Sequence, residues 1–143
     1  MLFRSGNTLK NDNPRMNARV NFPINQPKKI LLTSKDCDKE LNFFKDNDVQ
    51  IYKNKDLAQI IKSFKDQDFC SILIEAGPKL ANSFLELGLV DEIISYTSNN
   101  ELGDKAVSWF KENNAIENYG FKLESSYKIG GDVKETFIKN EKK

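Results

Sequence analysis

The chain has no histidine among its 143 residues. This excludes histidine-based triads, histidine general bases and nearly all catalytic zinc sites. Its two cysteines, Cys37 and Cys70, cannot make a disulfide framework, and a reducing cytoplasm is the default compartment. Cys70 stands just before the apolar run Ile72-Leu73-Ile74 and reads as a buried core thiol. No apolar run approaches the roughly 20 residues that span a bilayer, and residues 1–5 are too short for the apolar region of a signal peptide. An excess of either charge is also missing: Lys+Arg 22 against Asp+Glu 21 leaves +1. There is no bulk electrostatic case for nucleic acid or an anionic membrane. An enzyme with this inventory would supply binding and geometry and leave the chemistry to a cofactor.

What is present is an alternation of short apolar runs and amphipathic stretches over a length that suits one domain. Residues 28–33, after Pro27, read as a strand, and residues 49–52 as a second. Leu57, Ile60, Ile61 and Phe64 fall at i, i+3, i+4 and i+7, one stripe of a helix. Residues 71–74 are apolar on consecutive positions, as in a strand covered on both faces. Residues 78–87 read as a helix with proline in its first turn and Gly88 just past its end. Residues 91–97 form a fourth strand and 105–111 a short helix. Residues 121–127 and 133–138 flank Gly130-Gly131-Asp132 as an antiparallel hairpin. The class is α/β, a mostly parallel sheet with flanking helices and a C-terminal antiparallel hairpin. Residues 140–143 read as a frayed tail. Residues 6–29 are polar and turn-rich, with Pro14, Pro23 and Pro27, where a domain of this class ordinarily begins with a buried strand. Arg4 interrupts the only candidate, Met1-Leu2-Phe3, and residues 1–5 read as a non-native scar.

Three constellations carry chemistry or its imitation. In the first, residues 6–19, Thr8 and Asp12 offer groups for hydroxyls or amides, and Arg19 a bidentate grip on phosphate. On composition alone this stretch is a solvated turn started by Asn11-Asp12-Asn13-Pro14. In the second, Ile74-Glu75-Ala76-Gly77-Pro78-Lys79-Leu80-Ala81 ends a strand in a carboxylate and enters a helix through a glycine. Ligands of open α/β sheets bind beyond the carboxyl ends of strands, and a helix start attracts anions. An ordinary βα turn has the same pattern. The third, Leu85-Glu86-Leu87-Gly88-Leu89-Val90-Asp91-Glu92-Ile93, reads as a helix stop followed by the start of a strand.

In order along the chain stand N-T-L-x-N-D-N-P-x-M-x-x-R, I-L-L-T-S, I-x-I-E-A-G-P-x-L-A, F-L-x-x-G-L-V-D-E and I-G-G-D-V. Together, over residues 6 to about 138, they resemble the C-terminal reductase domain of the bifunctional pyrimidine deaminase/reductase of riboflavin synthesis, a dihydrofolate-reductase-like fold. The resemblance implies NADPH-dependent reduction of 5-amino-6-(5-phosphoribosylamino)uracil to the ribitylamino compound, with hydride going to C1′ of the opened ribosyl group. It implies cofactor contacts at Thr8, Asp12, Ser34, Gly77, Pro78, Lys79, Leu80, Ala81, Asn82 and Ser83, and substrate contacts at Met16, Arg19 and Glu75. It gives no metal and no assigned catalytic group. It also implies a homodimer, fused to a deaminase domain in the full-length protein.

The departures are two. The family's Ala-Pro-rich segment after the fourth strand is Ser98-Asn99-Asn100-Glu101 here. Its first strand and first helix, and the zinc deaminase domain, have no counterpart. Residues 6–139 therefore read as a reductase-domain fragment lacking its first strands and inactive by itself. A non-catalytic nucleotide-binding or subunit-interaction module, a related enzyme acting on another pterin or pyrimidine, and an α/β domain without a ligand stay open as alternatives.

Overall fold

The computed structural model describes residues 1–45, 49–53, 56–65, 67, 69–109 and 116–140. It divides into two units, Met1–Ala81 and Asn82–Lys143.

The first unit is built on a parallel sheet of four strands, β1 (Leu2–Ser5), β2 (Lys29–Leu32), β3 (Val49–Tyr52) and β4 (Leu73–Ile74), in the order β3-β2-β1-β4. Phe3 pairs with Ile30 on one edge and with Ile74 on the other. Further bonds run from Leu73 N to Met1 O at 2.8 Å and from Glu75 N to Phe3 O at 3.1 Å. Residues 1–5 read from the sequence as a non-native scar; within them, Leu2–Ser5 forms an interior strand of the sheet. Arg4 does not interrupt it, because successive side chains of a strand leave opposite faces. Phe3 is fully buried, and Arg4 projects from the other face.

Residues 6–12, expected as turn, are also ordered differently. Helix α1 (Gly6–Asp12) leaves β1 directly and stops at Asn13, whose φ of 40° is left-handed, a conformation asparagine tolerates at helix ends. Leu9, Leu31 and Phe43 form a buried cluster, flanked by Met16, Cys37, Leu41, Phe44 and Val49. Helix α2 (Leu57–Lys65) buries Leu57, Ile60 and Phe64 of the predicted stripe and half-buries Ile61. Asp56 caps it, its Oδ1 accepting the Gln59 N–H at 3.0 Å. Lys29, whose charge marks the end of an apolar run in the sequence, is fully buried. Its Nζ donates to the carbonyls of Phe43 (2.9 Å) and Lys45 (3.0 Å) and lies 5.6 Å from the centre of the Phe43 ring. A buried ammonium is tolerable only with such acceptors. Cys70, expected in the core, is exposed. The β4 ladder begins at Leu73, and the last bond before it is from the Met1 amino group to Ser71 O at 3.1 Å, so Cys70 lies beyond the pairing.

Helix α3 (Pro78–Glu86) runs from the first unit into the second. It ends in a Schellman motif: Leu89 N donates to Phe84 O and Gly88 N to Leu85 O, both at 3.0 Å, with Gly88 at φ 67°. The second unit's sheet is antiparallel, β5 (Glu92–Thr97), β7 (Asp132–Lys139) and β6 (Phe121–Ile129), in that spatial order. The hairpin is as expected, turning on Gly130-Gly131 with a bulge between Leu123 and Ser125. Strand β5, expected as a strand with no partner assigned, joins this antiparallel sheet. Its Ile93 is buried and its Ile94 exposed, the one-sided burial of an antiparallel strand. The core here is Leu85, Ile93, Phe121 and Phe137, with Val90, Ile116 and Tyr119 packed on it. Residues 105–109 contain no helix, and the rest of the helix expected there lies outside the described residues. Asn140, expected to fray, donates its N–H to Gly120 O at 2.8 Å; residues 141–143 lie outside the described residues. No helix among the described residues is long and apolar enough to cross a membrane.

The buried Phe3 supplies a test of the first strand. Phe3→Ala should lose about 3–5 kcal/mol of stability, measured as the shift of a urea unfolding curve. An unchanged midpoint would place residues 1–5 outside the folded unit.

Candidate functional site

Because all four strands of the first unit are parallel, their carboxyl ends share one edge of its sheet. In such sheets this is the edge where ligands bind. Ser5 ends β1, Ser34 follows β2, Lys53 follows β3 and Glu75 follows β4.

The charged centre of this edge is Arg4. Its Nη1 donates to Glu75 Oε2 at 3.1 Å, and its Nη2 lies 3.5 Å from Asp12 Oδ2. The guanidinium side chain is only 16% exposed, against 55% for Asp12 and 49% for Glu75. The cation is therefore the anchored member, and each carboxylate keeps an oxygen and much of its surface toward solvent. Arg4 Nε is enclosed and has no hydrogen-bond partner. Asp36 and Lys53 form a second ion pair at 2.9 Å. The Lys53 ammonium holds the Asp36 carboxyl below its ordinary value, and Asp36 holds Lys53 above its own. Both groups are fully exposed, so solvent and salt screen the pair.

Asp12 and Glu75, two of the residues named from the sequence, are thus brought together. Others are not. The backbone of Thr8 lies in α1, and its side chain is outside the described residues. Met16 packs on the Leu9, Leu31 and Phe43 cluster at φ 49°, an uncommon backbone conformation for a side chain of this size. Arg19 is exposed. The loop that carries it is pinned next door: Ala18 N donates to Gln26 Oε1 at 2.8 Å, and Gln26 Nε2 donates back to Ala18 O at 3.2 Å. Ser34 is exposed just beyond β2. Asn82 is buried in the second unit, where its Nδ2 donates to Trp109 O at 3.0 Å, and Ser83 is half-buried one residue on.

At the start of α3 the structure separates two roles of a glycine. Gly77 carries no positive φ, and a Cβ added to it would meet no atom within 4 Å. The fold makes no demand for glycine here, and the space over its Cα is open. The helix start itself offers fewer donors than the sequence suggests. Pro78 has no N–H, and Leu80 N and Ala81 N already donate to Gly77 O at 3.1 and 3.2 Å. What remains for an anion is mainly the helix dipole. Lys79 is exposed, while Leu80 and Ala81 are half-buried.

Sequence reasoning missed Arg4 and Asn17. Asn17 Oδ1 is a buried acceptor with no hydrogen-bond partner, between Met16 and Arg19. Arg4 left no readable signal: Leu2–Ser5 is only four residues long, too short to display strand alternation.

Residues 1–134 match the family model described as RibD C-terminal domain. Over 89 residues the chain is 37% identical to the riboflavin biosynthesis protein RibD of Buchnera aphidicola, a match covering 57% of this chain and 23% of that protein. Among solved structures, Acinetobacter baumannii RibD is similar with a TM-score of 0.82 and 22% identity, covering 97% of this chain and 46% of that one. A Thermotoga maritima diaminohydroxyphosphoribosylaminopyrimidine deaminase/5-amino-6-(5-phosphoribosylamino)uracil reductase is similar with a TM-score of 0.77 and 15% identity, covering 97% and 45%. At these identities the structures establish a shared fold, and the chain spans less than half the length of each of these relatives. The family match takes in Met1–Ser5 together with the Asp12, Glu75 and Gly77 segments, and on it the chain belongs to the RibD C-terminal domain family.

Proposed function

We propose that this chain is part of a reductase module of riboflavin biosynthesis; the module binds NADPH and reduces 5-amino-6-(5-phosphoribosylamino)uracil to the ribitylamino product, and the 143-residue chain by itself does not turn over. Family membership supports the pathway, and the reductase activity for which the Thermotoga relative is named supports the reaction. The observation that carries the reading is local: a half-exposed carboxylate, Glu75, ends a parallel strand two residues before a glycine with open space over it.

That open face is the fit for a dinucleotide. A pyrophosphate approaching the Gly77 backbone would lie at the positive end of the α3 dipole, where no atom stands within 4 Å of a Cβ built on Gly77. When bound, the cofactor supplies the hydride delivered to C1′ of the opened ribosyl group; a proton completes the reduction. The chain's own residues bind and orient. Asp12 faces cofactor hydroxyls or amides, Glu75 accepts from pyrimidine N–H or ribosyl hydroxyl donors, and Arg19 meets the substrate phosphate. The reading is tested by calorimetric titration of the chain with NADPH and then with the substrate, alongside NADPH absorbance to follow turnover. Binding of both ligands is expected. Binding of neither would sink it, and binding without turnover in a full-length relative carrying these residues would favour a non-catalytic nucleotide-binding module.

Three substitutions follow. Gly77→Val should weaken NADPH about tenfold or more, which is about 1.4 kcal/mol or above, and leave the melting temperature nearly unchanged because its side chain meets open space. Unaltered cofactor affinity would remove the α3 start from the phosphate site. Glu75→Gln preserves shape and an acceptor for Arg4. It should raise the substrate Kd by about 10- to 100-fold and spare NADPH. Lowered stability with normal ligand affinity would make Glu75 a structural group. Arg19→Ala should weaken the phosphorylated substrate by about tenfold or more and spare the cofactor; equal losses for both ligands would assign Arg19 to the fold.

A further inference from the structure

The geometry points to Arg4 as a positioning residue that holds the Glu75 and Asp12 carboxylates in place for two different ligands, and so links their binding. This rests on the reading that Asp12 serves the cofactor and Glu75 the substrate. The linkage itself comes from the geometry of one side chain.

Among the described residues, Arg4 alone bridges the two carboxylates, bonded to Glu75 at 3.1 Å and facing Asp12 at 3.5 Å. Two carboxylates on one sheet edge repel each other, and a shared guanidinium relieves this. A planar guanidinium with donors in a fixed fork can orient two acceptors at once, as an ammonium on a flexible stem cannot. The burial pattern says which partner is anchored. Arg4 is rooted in an interior strand with its side chain 16% exposed, while the carboxylates are about half-exposed. A ligand donor that engages either carboxylate therefore alters its hold on Arg4, and the change is felt at the other. The enclosed Nε, without an acceptor, is a cost that burial of this side chain imposes and that ordinary surface pairing would avoid. Such reciprocity is what thermodynamic linkage between two sites requires.

The test uses the 143-residue chain, with NADPH and the phosphoribosylamino-uracil substrate titrated singly and together. Arg4→Met keeps the stem and removes the charge; Arg4→Lys keeps the charge and loses the fork. Wild type is expected to bind each ligand with an affinity that changes when the other is present. Arg4→Met should weaken substrate by about tenfold or more and abolish that mutual dependence, with Arg4→Lys intermediate. In a Glu75→Ala background, where Arg4 has no side-chain acceptor left to position there, Arg4→Met should add little further loss of substrate affinity, since a residue acting through another is not additive with it. An Arg4 that merely supports the fold would instead lower the melting temperature, with substrate losses that add in full, and this would overturn the inference. If Arg4→Met does not fold, Arg4→Lys with unchanged affinities and intact mutual dependence would overturn it equally. Wild-type binding of neither ligand would overturn the functional reading as well, whereas normal binding with indifferent Arg4 variants overturns the linkage alone.

Discussion

The first unit depends on β1 being hydrogen-bonded along both edges. A parallel strand in the interior of a sheet must satisfy its backbone groups on two neighbours, and Leu2–Ser5 does so with β2 and β4. Everything at the proposed site follows from that placement. Phe3, fully buried, fixes which face turns inward. Its neighbour Arg4 must then leave by the opposite face, toward Asp12 at the end of α1 and Glu75 at the end of β4. Four residues thus set the sheet order and deliver the cation that the two carboxylates share.

The loop segments around this sheet are held by polar groups more than by apolar ones. Lys29 is the clearest instance. Burying an ammonium costs several kcal/mol unless its protons are bonded, and here the Phe43 and Lys45 carbonyls accept them. The gain is positional: the 3-10 turn at Asn42–Phe44 is fastened to β2 and keeps Phe43 on Leu9 and Leu31. Asn13 repeats the device, with its Oδ1 accepting the Asn42 N–H at 2.8 Å. The α1 terminus that carries Asp12 is therefore tied to a turn 29 residues further along the chain, and the carboxylate does not depend on the seven residues of a short helix alone.

How far the sequence spoke depended on whether the signal was local. The α2 stripe, the Gly88 helix stop and the Gly130-Gly131 hairpin are short-range patterns with one physical solution each, and they are found where the pattern puts them. Glu75 and Gly77 were legible because a strand, a carboxylate and a glycine entering a helix occur in succession. What failed was non-local. A four-residue interior strand has too few positions to show its period, so Arg4 looked like a break. The burial of Lys29 is not legible locally, because its acceptors lie 14 and 16 residues away. The run before Ile74 looked buried on both faces, yet β4 pairs over only Leu73–Ile74, leaving Cys70 exposed. Strand β5 could not be assigned to a sheet without knowing its partner, because Glu92–Thr97 suits either a parallel or an antiparallel neighbour.

The two glycines that follow strands in the first unit show why a residue type alone does not identify a site. Both come just after a sheet strand and open or precede a helix. At Gly6 a Cβ would stand 2.6 Å from Thr33 Oγ1 and 2.9 Å from Thr33 Cβ, so the close approach of α1 to the end of β2 demands glycine. At Gly77 nothing stands within 4 Å and φ is not positive. There, serine, threonine or aspartate would cap α3 at least as well. A glycine that neither backbone conformation nor a neighbouring atom requires leaves an unfilled volume directly over the helix start. Packing gives no reason to keep that volume empty. A ligand that must come close to the backbone would, and under the proposed reading the same amino acid is architecture at one strand end and part of a binding surface at the other.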